Sequence, residues 1–217
     1  MSRILLVTNP SDDAVTEYLD AWSEKAVDLA KGQPDTKVFE LRRENVNKDK
    51  FIKLVEQENP QLILFNGHGD HNLITGFNQE VLIKCGADEQ YLKNKILYAL
   101  SCKAGKTLGP ACIEIGSLAY IGYKEEFKLT HLNKTTKIEQ QQDEMANLFL
   151  EPAYEALLAL IEGNTVEKAF QRSQKMYADN LMSLMTSKIA GLNPGAASRL
   201  YHNYQNHICL GNQNVVF

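Results

Sequence analysis

Two residues have the type and spacing for covalent chemistry, His68 and Cys102. A cysteine thiolate is a strong nucleophile, and a nearby imidazole can take its proton and later return one to a leaving group. Each residue follows a short apolar, β-prone run. Leu62-Ile63-Leu64-Phe65 leads into Asn66-Gly67-His68-Gly69, and Ile96-Leu97-Tyr98-Ala99-Leu100 leads into Ser101-Cys102. Runs of this kind, ending on glycine or a small polar residue, read as buried strands that stop at a turn. As parallel neighbours, the two strands would deliver both side chains to the carboxyl edge of one sheet, where open α/β sheets place their ligands. The expected chemistry is a cysteine–histidine hydrolytic dyad. The backbone N–H groups of Gly69 and Cys102 are the candidate oxyanion donors. Cys102 is expected at a strand-to-helix junction, where N–H groups lower a thiol pKa.

The elements that must position this pair are legible along the chain. Ile4 to Thr8 reads as a strand, and Asn9-Pro10-Ser11-Asp12-Asp13 as a turn carrying helix-capping residues. Apolar residues recur at helical spacing from Ala14 to Ala30, and Gly32 and Pro34 end that helix. Thr36 to Leu41 alternates as a strand does. Asn47 starts a second helix, which Asn59-Pro60 breaks before Leu62. The order β-α-β-α-β implies a parallel sheet covered by helices. Leu73 to Phe77 and Glu80 to Ile83 read as a hairpin around Asn78-Gln79, and Ala87 to Lys93 as a short helix. Ala104 to Ile115 is expected to hold a helix, and Ser117 to Tyr123 another buried strand, followed by Glu125-Glu126. Beyond His131 the pattern is helical: Asp143 to Ile161, with Pro152 expected to kink it, then Val166 to about Ile189. Gly191 to Gly195 is a break, and His207 to Gly211 a last short strand. Thr135 to Gln142 is polar and reads as a mobile loop.

At 217 residues, the chain is read as a single domain over 1–217, with a sheet-forming core at about 1–130 and a helical portion at about 131–217. Hydrophobic residues make up 44% and charged residues 23%, ordinary for a soluble globular protein. The net charge of −4, with scattered basic residues, gives no support for nucleic-acid or anionic-membrane partners. No apolar run approaches a membrane span, and none has the form of a signal peptide. The four cysteines, Cys85, Cys102, Cys112 and Cys209, form no C-x-x-C pair. They are expected as free thiols in a reducing cytoplasm, all but Cys102 as core or bystander groups.

Rival uses of these segments fail on residues. Gly105-Lys106-Thr107 resembles the end of a phosphate-binding loop, but the position that needs the first glycine is Leu100. A cysteine-phosphatase loop needs an arginine where Leu108 stands. His68, Asp70 and His71 lie on one turn, and so close a run rarely converges on one zinc ion, so no metal and no cofactor are expected. A flavodoxin-like ligand-binding reading, with Cys102 structural, lacks a Gly-rich first loop. His131, His202 and His207 show no partner pattern.

The pattern of apolar strand, His-Gly, then apolar strand, small residue, Cys resembles the caspase-like cysteine peptidases. The Gly67-His68-Gly69 form is most similar to the gingipain, separase and CHAT side of that group. The resemblance covers roughly residues 1 to 130. It implies a caspase-like α/β fold with a mostly parallel sheet of about six strands flanked by helices, here with a helical C-terminal third unlike the caspase small subunit. It implies a cysteine endopeptidase with His68 as general acid/base, Cys102 as nucleophile, and Gly69 and Cys102 at the oxyanion. The partner would be a protein or peptide substrate, with a regulatory protein as a further possibility. Members that cleave after Arg or Lys often carry an acid two positions before the cysteine. Leu100 stands there, so Asp70, Glu125 and Glu126 become the substrate-binding candidates. Thr130 to Gln142, with Lys134 and Lys137 exposed, is the expected activation or autocleavage loop. A catalytically silent binding or regulatory module on the same fold is the alternative.

Overall fold

The computed structural model describes residues 3–186 and 194–217. Its centre is a six-stranded sheet in the order β2-β1-β3-β7-β8-β9. The strands are β1 (Arg3–Asn9), β2 (Thr36–Arg42), β3 (Leu62–Asn66), β7 (Ile96–Leu100), β8 (Ala119–Tyr123) and β9 (His207–Gly211). The first five run parallel, and β9 pairs antiparallel with β8 at the edge. A second sheet, β4 (Gly69–Asp70), β5 (Leu73–Thr75) and β6 (Val81–Lys84), is antiparallel and carries the expected hairpin. The sheet-forming residues are therefore not confined to 1–130. The sixth strand comes from the C-terminal portion and covers the hydrogen-bonding edge that β8 would otherwise expose.

The central strands are largely apolar because both faces are covered, with polar residues at the carboxyl ends of β1 and β3. Leu62, Leu64, Tyr98, Leu100, Ile121 and Tyr123 join one core with α1 (Ala14–Gly32) and α5 (Glu144–Ile161). The alternate residues Ile63, Phe65, Leu97, Ala99 and Tyr120 join a second core with α2 (Lys48–Glu58), α3 (Leu108–Glu114), β5 and β6. This is the period-two alternation of a strand buried on both sides.

Several helix bounds differ from the sequence reading. The segment after β7 is not helical from Ala104; turns occupy 102–107 and α3 begins at Leu108. Gly105 explains the delay. Its N–H donates to the Tyr123 carbonyl at 2.9 Å, and a Cβ on it would stand 2.8 Å from that same oxygen. The turn is thus pressed onto β8 before the helix can start. The expected mobile loop before Gln142 holds α4 (Lys137–Gln141), with a capping box between Thr136 and Glu139. α5 starts on its cap Asp143 and runs through Pro152 as one helix. Proline has no N–H for the Leu148 carbonyl, and Asn180 Nδ2 of α6 (Val166–Thr186) donates to that oxygen instead at 3.0 Å. α7 (Ala196–Asn206) follows, and a third core joins α5, α6 and α7. The expected end of the long helix near Ile189, and the break from Gly191, fall largely outside the described residues. Among those residues, no helix is long and apolar enough to cross a membrane.

Candidate active site

β3 and β7 are adjacent and parallel, with Asn66 opposite Leu100. His68 and Cys102 each lie two residues beyond that matched pair, at the carboxyl edge. The approach is close enough to require glycine between them. A Cβ on Gly69 would stand 3.0 Å from the Cys102 carbonyl oxygen, 3.0 Å from Ser101 Cβ and 3.1 Å from the Leu73 carbonyl oxygen. The His68 carbonyl accepts from the Thr75 N–H at 3.0 Å, which ties the histidine loop to β5.

β1 lies on the other side of β3, so the turn that follows β1 also reaches this edge. It supplies a residue the sequence reading saw only as a cap. Asp13 is the N-cap of α1, and its Oδ1 accepts from the Thr16 N–H at 2.9 Å. Its other oxygen, Oδ2, is hydrogen-bonded to His68 Nε2. Burial raises the Asp13 pKa, but the Thr16 N–H and the His68 ring outweigh it and hold the carboxyl below the usual aspartate value. With Nε2 on the carboxylate, the free imidazole nitrogen is Nδ1. In the neutral tautomer that donates to Asp13, Nδ1 is a proton acceptor.

A buried polar thread fixes the ends of β1 and β3 behind this pair. Asn66 Nδ2 donates to Asn9 Oδ1 at 2.6 Å, and Asn9 Nδ2 to Ser23 Oγ at 3.0 Å. Tyr154 Oη shares its one proton between the Leu19 carbonyl at 2.7 Å and Asn66 Oδ1 at 3.0 Å. The two strands and helices α1 and α5 are thus locked together immediately behind the histidine.

The cysteine side is built differently. Burial pushes the Cys102 thiol up, the Phe127 N–H bonded to the sulfur pulls it down, and the Glu126 charge raises it further; the net shift is upward. The lowered thiol pKa expected at a helix start is therefore not found. The turns at 103–107 separate Cys102 from α3, and Cys102 is half-buried, with its sulfur bonded by the Phe127 N–H of the chain after β8. Among the described residues, no hydrogen bond joins the thiol to the His68 ring.

The acids proposed to touch substrate surround this turn, each with a neighbour. Lys103 N–H donates to the Glu125 carbonyl at 3.1 Å. Glu125 pairs with Lys106 Nζ at 3.2 Å and Glu126 with Lys103 Nζ at 3.2 Å. Asp70 is exposed, 3.9 Å from His71 Nε2. The turn does not gather His68, Asp70 and His71. Asp12, Asp13 and His68 come together instead, with ligand atoms all within 4.8 Å of one another. Both acids are already engaged: Asp12 Oδ2 accepts from the Asn78 N–H at 2.7 Å, and Asp13 holds Thr16 and His68.

Of the histidines with no sequence pattern, His207 proves the most enclosed. It stacks on Tyr123 with ring centroids 4.8 Å apart, and burial pushes its pKa down to about 3, so it is a neutral core group. His131 lies against Tyr18, centroids 4.5 Å apart, and His202 Nε2 hydrogen-bonds the Glu126 carbonyl at 3.0 Å. Cys112 is buried, Cys85 and Cys209 partly so, and all four cysteines are free thiols.

The segment from Phe127 to Asp143 is a strap stitched to α1. Tyr18 Oη donates to Asp143 Oδ2 at 2.6 Å, and Trp22 Nε1 to the Gln140 carbonyl at 3.1 Å. Lys137 Nζ lies 3.1 Å from Asp20 and 2.6 Å from Glu24. Lys134 and Lys137 are exposed as expected, but the chain carrying them is fastened and partly helical.

No family model matches this chain, and no curated protein sequence matches it.

Proposed function

We propose that the chain is a thiol hydrolase of the caspase-like class, and within it a cysteine endopeptidase. The observation that carries this reading is the register of β3 against β7, which brings His68 and Cys102 to matched positions at one carboxyl edge, with Asp13 on the far nitrogen of the ring. In the reaction, His68 Nδ1 takes the Cys102 proton as the sulfur attacks the substrate carbonyl. The resulting oxyanion lies against the N–H groups of Gly69 and Cys102. The imidazolium, held by the Asp13 carboxylate, gives its proton to the departing amine and leaves a thioester. Water, deprotonated by His68, then hydrolyses the thioester and restores the thiol. The raised thiol pKa assigns His68 the part of a true base, acting at the moment of attack, because a preformed thiolate is not favoured. Glu125 and Glu126 fit a basic substrate side chain that displaces Lys106 and Lys103. Free thiols fit a reducing cytoplasm.

A second reading is a catalytically silent module that binds a protein partner. The missing thiol–imidazole hydrogen bond among the described residues and the raised thiol pKa favour it. Peptidyl acyloxymethylketone and vinyl-sulfone probes separate the two readings. Covalent labelling at Cys102 that is lost in His68→Ala supports the peptidase. Absence of labelling by a broad probe panel, in a folded protein, supports the silent module.

A further inference from the structure

The opposite end of β7 carries a second polar site. Lys95 immediately precedes the strand and is only 3% exposed. Its Nζ donates to Asn59 Oδ1 at 2.7 Å, and among the described residues it has no other hydrogen-bond partner and no ion pair with a carboxylate. An ammonium carries three N–H donors, and burying one without a counter-charge is unfavourable. Burial accordingly lowers the Lys95 pKa.

This lysine lines a cleft of about 390 Å³ at the amino edge of the sheet, together with Val55, Glu56, Asn59, Gln90, Tyr91 and Lys93. Lys93 is exposed and makes no ion pair among the described residues. Glu56, exposed on α2, is the only acid in the lining, so two ammonium groups face one carboxylate. The cleft is polar, holds an excess positive charge, and has its best donor at its buried side. We propose that it binds a small oxyanion, a phosphate or carboxylate group, with Lys95 as the anchoring cation and Lys93 and Gln90 as outer donors. The anion supplies the counter-charge that the fold leaves out, and Lys acts on it as a point charge. The site is independent of the chemistry at Cys102, which sits at the other end of the same strand.

The test uses the whole protein labelled with 13Cε lysine, titrated with inorganic phosphate and separately with acetate at constant ionic strength, with chloride as the reference. The Lys95 resonance is expected to shift saturably, with the Lys93 resonance following, while the remaining lysines stay unmoved. The arm with the tighter saturation identifies phosphate or carboxylate as the ligand group. Lys95→Met is expected to weaken binding about tenfold or more, and Lys93→Met about two- to fivefold. If Lys95→Met does not fold, the wild-type titration together with Lys93→Met decides the matter. Neither anion moving the Lys95 resonance at millimolar concentration, or equal binding by the methionine variants, overturns the proposal.

Discussion

On one side of the candidate site, His68 is about one-third exposed and its ring rests on a carboxylate that is itself 43% exposed. On the other, Cys102 is half-buried, and its sulfur takes a backbone N–H from Phe127 while burial drives its pKa up. The two halves come from neighbouring strands in matched register, yet one is oriented by an exposed carboxylate–imidazole hydrogen bond and the other is set by burial and a backbone N–H. The difference teaches where proton transfer is controlled. In the proposed reaction the histidine is oriented before substrate arrives. The thiol stays protonated until something removes its proton, so reactivity depends on both halves meeting.

That contrast can be broken outright at the nucleophile. Cys102→Ala abolishes covalent labelling by the peptidyl probes, read by intact mass, and His68→Ala lowers the labelling rate by about 10³-fold. Residual labelling in Cys102→Ala would move the chemistry to another thiol. Next comes the acid. Asp13→Asn keeps a capping oxygen for Thr16 but removes the charge on His68. Peptidase or labelling rates are expected to fall about 10- to 100-fold while the unfolding midpoint holds. Asp13→Ala loses the cap as well and costs about 1 kcal/mol in denaturant unfolding. Equal rates in Asp13→Asn and wild type would leave Asp13 with capping alone.

A smaller effect is expected behind the site. Tyr154→Phe removes the hydroxyl that reaches Asn66 and the Leu19 carbonyl, at about 1–2 kcal/mol by chemical denaturation, with rates falling less than for Asp13→Asn. The smallest effect is on the resting thiol. Because burial raises the Cys102 pKa, its alkylation by iodoacetamide should keep climbing with pH above the ordinary thiol range, with no plateau near neutrality. Glu126→Gln removes a charge that raises the same pKa, and should speed alkylation at fixed alkaline pH about twofold. A plateau at neutral pH would mean a thiolate already paired with His68, contrary to the raised thiol pKa.

The strands and their sequence along the chain were legible because doubly covered parallel strands leave short apolar runs closed by small residues. Leu62–Phe65 and Ile96–Leu100 show this, and their spacing brought His68 and Cys102 out as a pair. Asp13 was visible only as a cap, because its second role depends on β1 lying beside β3, which alternating composition does not encode. The raised thiol pKa was likewise out of reach. It depends on tertiary burial of the sulfur and on the nearby Glu126 charge, which together outweigh the N–H that Phe127 gives the thiol. The stretch from Thr135 to Gln142 looked mobile because its residues are polar, but the partners that fasten the strap, Tyr18, Asp20, Trp22 and Glu24, lie more than a hundred positions away on α1.

Trp22 is the only tryptophan in the chain. Its ring is 1% exposed, its indole N–H donates to the strap at Gln140, and Lys25 Nζ lies 3.8 Å from the ring centroid. The molecule therefore has a built-in optical gauge. Any event that lifts the strap from α1, whether cleavage after Lys134 or engagement of a partner, moves a single indole from an apolar, hydrogen-bonded seat into water. Its emission shifts to the red without a label, and docking of the strap can be followed in real time in a cuvette.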